Sequence, residues 1–225
     1  QIQMSATIIS VANRKGGVGK TTLNILLATA LAETKGLKVC LLDTDSQKSA
    51  VTRRLIEQAQ NPELIAPYPI EHVFPKYLTM ELRHRSEEYD VILIDVPRLT
   101  DSEKDAEVVT AIVHCDTVII PTTPAEMDVV ATNDFLKIVQ DVKEKRIELK
   151  MPFNYFLMVN KWNNTRDCTN TVDYFNEKEI PLFETHINDL VVFRPPSTFL
   201  SVLSTKEGKK RFGDFFNEFL KKTNL

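Results

Sequence analysis

The stretch Asn13-Arg14-Lys15-Gly16-Gly17-Val18-Gly19-Lys20-Thr21-Thr22 constrains this chain more than any other. An apolar run, Ala6-Thr7-Ile8-Ile9-Ser10-Val11, precedes it and reads as a buried strand. Leu23, Leu26, Leu27, Ala30 and Leu31 come after it at helical spacing. Strand, glycine-rich loop, Lys-Thr and helix in that order make a phosphate-binding loop. The glycines let backbone N–H groups approach a polyphosphate without Cβ obstruction. The helix N-terminus adds its positive dipole end. Lys20 is expected to reach the β- and γ-phosphates, and the Thr21 hydroxyl to ligate Mg²⁺.

Short β-branched runs alternate with longer amphipathic segments along the chain, the βαβ signature of a parallel sheet. The expected class is α/β: a P-loop NTPase-like, mostly parallel twisted sheet with helices on both faces. Strands are predicted at Thr7–Val11, Lys38–Asp43, Val91–Asp95, Thr117–Pro121, Tyr155–Asn160 and Ile180–Phe183. Helices are predicted at Thr21–Thr34, Lys48–Gln58, Tyr77–Glu87, Ser102–Val113, Met127–Lys145, Cys168–Asn176 and Gly208–Lys222. Asn61–Pro75 holds four prolines and reads as either a short edge strand with turns or a surface loop. With 225 residues and no linker-like tract, one domain over residues 1–225 is the expectation.

Composition narrows the function classes. A formal net charge of −3 argues against a globally basic nucleic-acid binder, though a local basic patch is compatible with it. Cys40, Cys115 and Cys168 are far apart and form no CxxC pair, which fits a reducing cytoplasm. No apolar run approaches bilayer length, so stable membrane insertion is not expected. No function attaches to Gln1-Ile2-Gln3 ahead of Met4.

The loop departs from the standard motif: Arg14 stands where the opening glycine belongs, and a second lysine, Lys15, comes next. Lys-Gly-Gly-Val-Gly-Lys-Thr-Thr resembles the deviant Walker A motif of the ParA/MinD family of ATPases. The resemblance implies ATP, with ADP as product, and Mg²⁺ as the cofactors. It implies that Gly16, Gly17, Val18, Gly19, Lys20, Thr21 and Thr22 hold the nucleotide. It also implies that Lys15 crosses a homodimer interface to the partner's phosphates, so that Lys15 and Lys20 both count as catalytic.

Further segments extend the likeness. Asp43-Thr44-Asp45-Ser46-Gln47 resembles the family's Asp-x-Asp-Pro-Gln, with Ser46 in place of proline. By that resemblance Asp45 orients or activates the attacking water and Asp43 supports the Mg²⁺ shell; the other reading is that either Asp caps the next helix. Val91-Ile92-Leu93-Ile94-Asp95 looks like a Walker B strand, with Asp95 beside the Thr21–Mg²⁺ site. Pro97 and Arg98 then begin a loop comparable to the family's switch region. Asn160 occupies a position resembling the family's adenine-reading Asn, or else it is a turn former. Trp162 either stacks on the base or shields the pocket. Asp128 is either a contact to the second subunit or a solvent-facing helix start.

The likeness weakens over 184–196: partition ATPases often carry Ile-Pro-Arg and a second nearby arginine here, where a basic residue can contact DNA, whereas Asn188, Asp189 and Val192 occupy the counterpart positions and Arg194 is out of register. Arg194, Lys209, Lys210 and Arg211 are the DNA-contact candidates, with Lys206, Lys221 and Lys222 near them in the sequence; the other reading is an ordinary solvated helix face.

The leading expectation is a ParA-type partition ATPase, cytoplasmic and nucleoid-associated. It would form an ATP-dependent homodimer on nonspecific DNA, stimulated by a ParB-like partner. A one-domain length leaves no room for an N-terminal helix-turn-helix module, so operator-specific repression is not expected. The alternatives are a ParA-like positioner of a protein cargo or a MinD-like membrane-cycling regulator, whose membrane helix would be Arg211–Lys222. An iron–sulfur reductase is rejected, since only Cys115 sits near a cluster position.

Overall fold

The computed structural model describes residues 6–97 and 102–225. Six strands, β1 (Thr7–Val11), β2 (Val39–Asp43), β3 (Ile70–His72), β4 (Val91–Asp95), β5 (Thr117–Thr122) and β6 (Asn154–Val159), form one sheet in the order β3-β2-β4-β1-β5-β6. Every pairing is parallel. In register, Val11 of β1 and Asp43 of β2 both lie opposite Asp95 of β4. The three central strands therefore end level, and the loops that leave them converge on one edge. Ligands of open parallel sheets bind at that edge.

Among the described residues seven helices cover the sheet: α1 (Lys20–Lys35), α2 (Ser49–Gln60), α3 (Leu78–Arg85), α4 (Ser102–Ile112), α5 (Glu126–Glu148), α6 (Arg166–Glu177) and α7 (Lys206–Thr223). One core layer joins α1, Ala50 of α2 and α7 to Ile9, Val11, Leu41 and Leu93. The other packs Leu78, Val108, Phe135 and Phe175 against Cys40, Ile92, Ile94 and Val118. Central strands buried on both faces must be apolar throughout, which is why β4 reads Val-Ile-Leu-Ile before its terminal Asp. Helix α1 is buried from Thr22 to Leu31 and so lacks a polar face.

Two segments resolve differently from, or more sharply than, their sequence pattern. Ile180–Phe183 is not a strand. It makes one bridge, Leu182 to Leu157, and Pro181 has no N–H to extend the ladder. Asn61–Pro75 does contribute an edge strand, β3, pairing with β2.

The candidate membrane helix is a core element. Phe212, Phe215, Phe216 and Phe219 of α7 are buried, and each contributes about 1.5–3 kcal/mol by leaving water. Lys222 lies over the rings of Phe156 and Phe183, and Glu218 accepts from the N–H groups of Glu184 and Thr185. The apolar stripe is thus committed to the sheet. No helix among the described residues is long and apolar enough to cross a membrane.

Candidate functional site

The loop between β1 and α1 takes its shape from two glycines in left-handed conformation, Gly17 at φ 80° and Gly19 at φ 101°. At Gly19 space is limiting as well, because a Cβ there would meet Leu190 Cδ1 at 2.5 Å. A side chain at this position would force both strain and a clash. Asn13 anchors the loop's start from inside the protein. Its amide nitrogen donates to the Pro121 carbonyl (2.7 Å) and the Thr132 hydroxyl (2.9 Å), and its oxygen accepts from Lys15 N–H (3.2 Å). The phosphate-loop motif does not single out Asn13. Its one signal in the sequence is a polar residue placed directly after a buried strand.

Lys20 is buried at the first turn of α1, and its ammonium donates to the Lys15 carbonyl at 2.9 Å. It therefore stands beneath the loop, as a cation must to face phosphates held by the loop's N–H groups. Thr21, next in sequence, lines the same cleft.

Asp95 lies near Lys20 and Thr21 at the end of β4. It is buried, Oδ1 accepts from Asn24 at 2.9 Å, and Oδ2 has no partner among the described residues. Burial raises its pKa from 3.8 to about 7 and the neighbouring Asp43 charge adds to that, while Thr21, Asn24 and Lys20 oppose the rise. An unpaired buried carboxylate oxygen beside the loop is a costly arrangement. A divalent cation shared with Thr21 would relieve it, so the residues fit Mg²⁺.

Asp43 and Asp45 separate in role. Asp43 is fully buried, Oδ2 accepts from Ala50 N–H (2.9 Å) and Val51 N–H (3.2 Å), and Oδ1 accepts from Asp45 N–H (3.1 Å). Through Oδ2 it caps α2, the second of the two readings, while Oδ1 holds the turn at Asp45. Asp45 lies on the cleft, and Oδ1 accepts from Gln47 N–H in a tight turn.

Asn160 departs from its expected task. Its carboxamide is buried, with Nδ2 donating to the Val18 carbonyl (3.0 Å) and Oδ1 accepting from Lys161 N–H (2.8 Å) and Leu190 N–H (3.1 Å). An amide occupied this way is not presented to a base; it props the phosphate loop. Trp162 stacks on His186 at 3.8 Å between centroids, which favours the shielding reading over base stacking.

The cleft itself measures about 520 Å³ and is lined by the loop, Asp45, Gln47, Arg53, Val96 and the segment Arg194-Pro195-Pro196. Lys15 lies on the other side of the loop. Its ammonium is 3.3 Å from Asp128 Oδ1, and Asp128 Oδ2 accepts from the Thr123 hydroxyl at 2.6 Å. A second groove there is shared with Arg14, Met127, Val130 and Ala131.

The DNA-contact candidates line different pockets. Arg194 faces the phosphate cleft, whereas Lys210 and Arg211 line a separate pocket with Asp189 and Glu207. Arg211 is paired with Glu207 through its Nε. Lys209 is exposed. Arg98, placed in the switch-like loop, lies outside the described residues.

Residues 9–224 match the family model described as the CobQ/CobB/MinD/ParA nucleotide binding domain. The chain belongs to this family. Among curated proteins, "Maintenance of carboxysome distribution protein A" of Gloeobacter kilaueensis is 34% identical over 130 residues, 54% of this chain and 51% of that protein. The chain thus spans about half the length of that relative. Among solved structures, the Cyanothece McdA–ATP complex superposes with a TM-score of 0.73 at 16% identity, covering 98% of this chain and 97% of that one. A putative plasmid partition protein of Borrelia burgdorferi bound to AMPPNP gives 0.66 at 23% identity, covering 96% and 99%. These structures share the fold, and the family assignment carries nucleotide binding.

Proposed function

We propose that this chain is a cargo-positioning ATPase of the ParA kind. It binds ATP with Mg²⁺, pairs with a second copy in that state, holds nonspecific DNA as a surface, and resets by hydrolysis. The observation that carries the reading is the placement of Lys15. It lies outside the cleft of its own chain, on a face where Met127 is 70% and Val130 53% exposed. An exposed apolar patch flanking a lysine fits an interface better than a solvated loop. Across such an interface the cation would stabilise phosphate charge that its own chain does not face. In this scheme Lys20 and the loop N–H groups bind the phosphates, Thr21 and Asp95 hold the metal, and Asp45 positions the water. A Mg²⁺ held by Thr21 and Asp95 would neutralise phosphate charge.

The cargo is a protein assembly or DNA, recruited by a ParB-like stimulator. The likeness to a carboxysome distribution protein and to a plasmid partition protein supports both kinds. Membrane cycling is disfavoured, because the phenylalanines that would enter a bilayer fill the core. The test uses the Asp45→Ala protein, which should trap the ATP state. Sedimentation should show a dimer with ATP–Mg²⁺ and a monomer with ADP, and the dimer should retain duplex DNA at low salt and release it at moderate salt. A monomer under saturating ATP–Mg²⁺ defeats the proposal.

A further inference from the structure

The segment after the 3₁₀ turn Leu190–Phe193 lies against α1 and is fastened at several points. Arg53 Nε donates to the Pro196 carbonyl at 2.7 Å. The Glu57 carboxylate accepts from Ser197 Oγ (2.6 Å), Thr198 N–H (2.7 Å) and Thr198 Oγ1 (2.9 Å). Arg54 donates to Thr198 Oγ1 (2.8 Å) and the Thr198 carbonyl (2.9 Å), and its guanidinium lies between the rings of Tyr68 and Phe199 at 4.9 and 4.7 Å. Farther on, Ser201 N–H donates to Glu33 Oε2 at 2.6 Å. Charge-assisted bonds of this number, two of them fully buried, hold the strap against α1 and α2.

The strap holds one side chain in a position that its fastenings do not explain. Arg194 is exposed and lines the phosphate cleft together with Gly17, Gly19, Lys20 and Thr21 of the loop. No carboxylate among the described residues pairs with it, whereas Arg53 in the same wall is matched by Glu57 at 3.3 Å. We infer that Arg194 is a nucleotide-binding residue, its guanidinium contacting the polyphosphate from the side opposite the loop. A guanidinium suits this role because its forked donors match phosphate oxygens and it stays charged at all working pH values. The strap supplies the preorganisation: the backbone that carries Arg194 is already fixed before nucleotide arrives. The inference rests on the ATP reading of the cleft, and it replaces the DNA-contact expectation for this residue.

Fluorescent ATP and ADP analogues with Mg²⁺ should be titrated into wild type, Arg194→Ala, Arg194→Lys and Lys20→Ala. Arg194 is exposed, so the alanine variant should melt with wild type. It should bind both nucleotides at least about tenfold more weakly, with the lysine variant recovering part of the loss. Lys145→Ala, which removes an exposed cation near the far end of α5, should bind as wild type does. Arg194→Ala binding both nucleotides at wild-type affinity overturns the assignment, as does an equal loss in Lys145→Ala. Wild-type protein that binds neither nucleotide, or Lys20→Ala that binds them unimpaired, instead sinks the ATP reading of the cleft.

Discussion

The Lys15 ammonium is 3.3 Å from Asp128 Oδ1, on the face of the loop turned away from Lys20. Lys15 is 42% exposed in its side chain, so the pair adds little to stability, about 0–1 kcal/mol. On the proposed dimer reading a weak tether is what Lys15 needs, since it would exchange Asp128 for another anion. Lys15→Ala should therefore leave melting and nucleotide affinity near wild type. Turnover should fall by about 10²-fold or more, the scale of losing one preorganised charge donor. Phosphate release measured alongside nucleotide titration checks both halves. A variant that hydrolyses normally removes Lys15 from the chemistry.

Asp43 and Asp45 differ by two positions and should differ in kind. Asp43→Ala strips acceptors from the N–H groups of Asp45, Ala50 and Val51, leaving α2 uncapped. A loss of at least about 2 kcal/mol is expected in denaturant unfolding. Asp45→Ala loses only the Gln47 turn bond, so it should unfold near wild type, bind ATP and fail to turn over. If Asp43→Ala proves as stable as wild type, the capping account is wrong.

Asp95 gives the apo protein a pH dependence whose sign comes from its environment. Its pKa rises from 3.8 to about 7 on folding, so between those values the folded chain holds a proton that the unfolded chain has released. The residue's favourable contribution is complete below its unfolded pKa and is lost as pH climbs toward 7. At about 1.36 kcal/mol per pH unit the effect is bounded near 4 kcal/mol. Asp43, raised in the same direction by burial, adds to the trend in wild type. Asp95→Asn keeps an oxygen for Asn24 and removes the charge. In EDTA it should melt above wild type at pH 8, with the gap narrowing at pH 5. An equal gap at both pH values argues against a raised Asp95.

The phosphate loop, the central strands and the helix order were legible because each is written locally. Gly17, Gly19 and Lys20 sit within four positions, and Val91–Asp95 is continuous in both sequence and structure. The strap was not legible, since Glu57 and Thr198 meet across 141 residues and neither has a local motif. The place of Arg194 was hidden for the same reason: nothing adjacent in sequence says which cleft it lines. Asp43 could be read either as a cap or as a metal supporter. Only the arrival of the Ala50 and Val51 N–H groups at its Oδ2 makes the capping visible.

Asn160 offers the sharpest contrast between a motif and its geometry. By resemblance it reads adenine, yet its Nδ2 and Oδ1 are bonded to Val18, Lys161 and Leu190. Removing it leaves buried backbone groups unpaired at about 1–3 kcal/mol each and loosens the loop beside Gly19. That damage falls on the phosphate cradle, which every nucleoside triphosphate shares. Asn160→Ala should therefore weaken ATP and GTP by the same factor and lower the melting temperature. Competition titrations of the two nucleotides against one fluorescent analogue measure the ratio directly. A base-reading amide would instead show itself by selective loss of ATP with GTP unchanged, and that result would return Asn160 to the adenine.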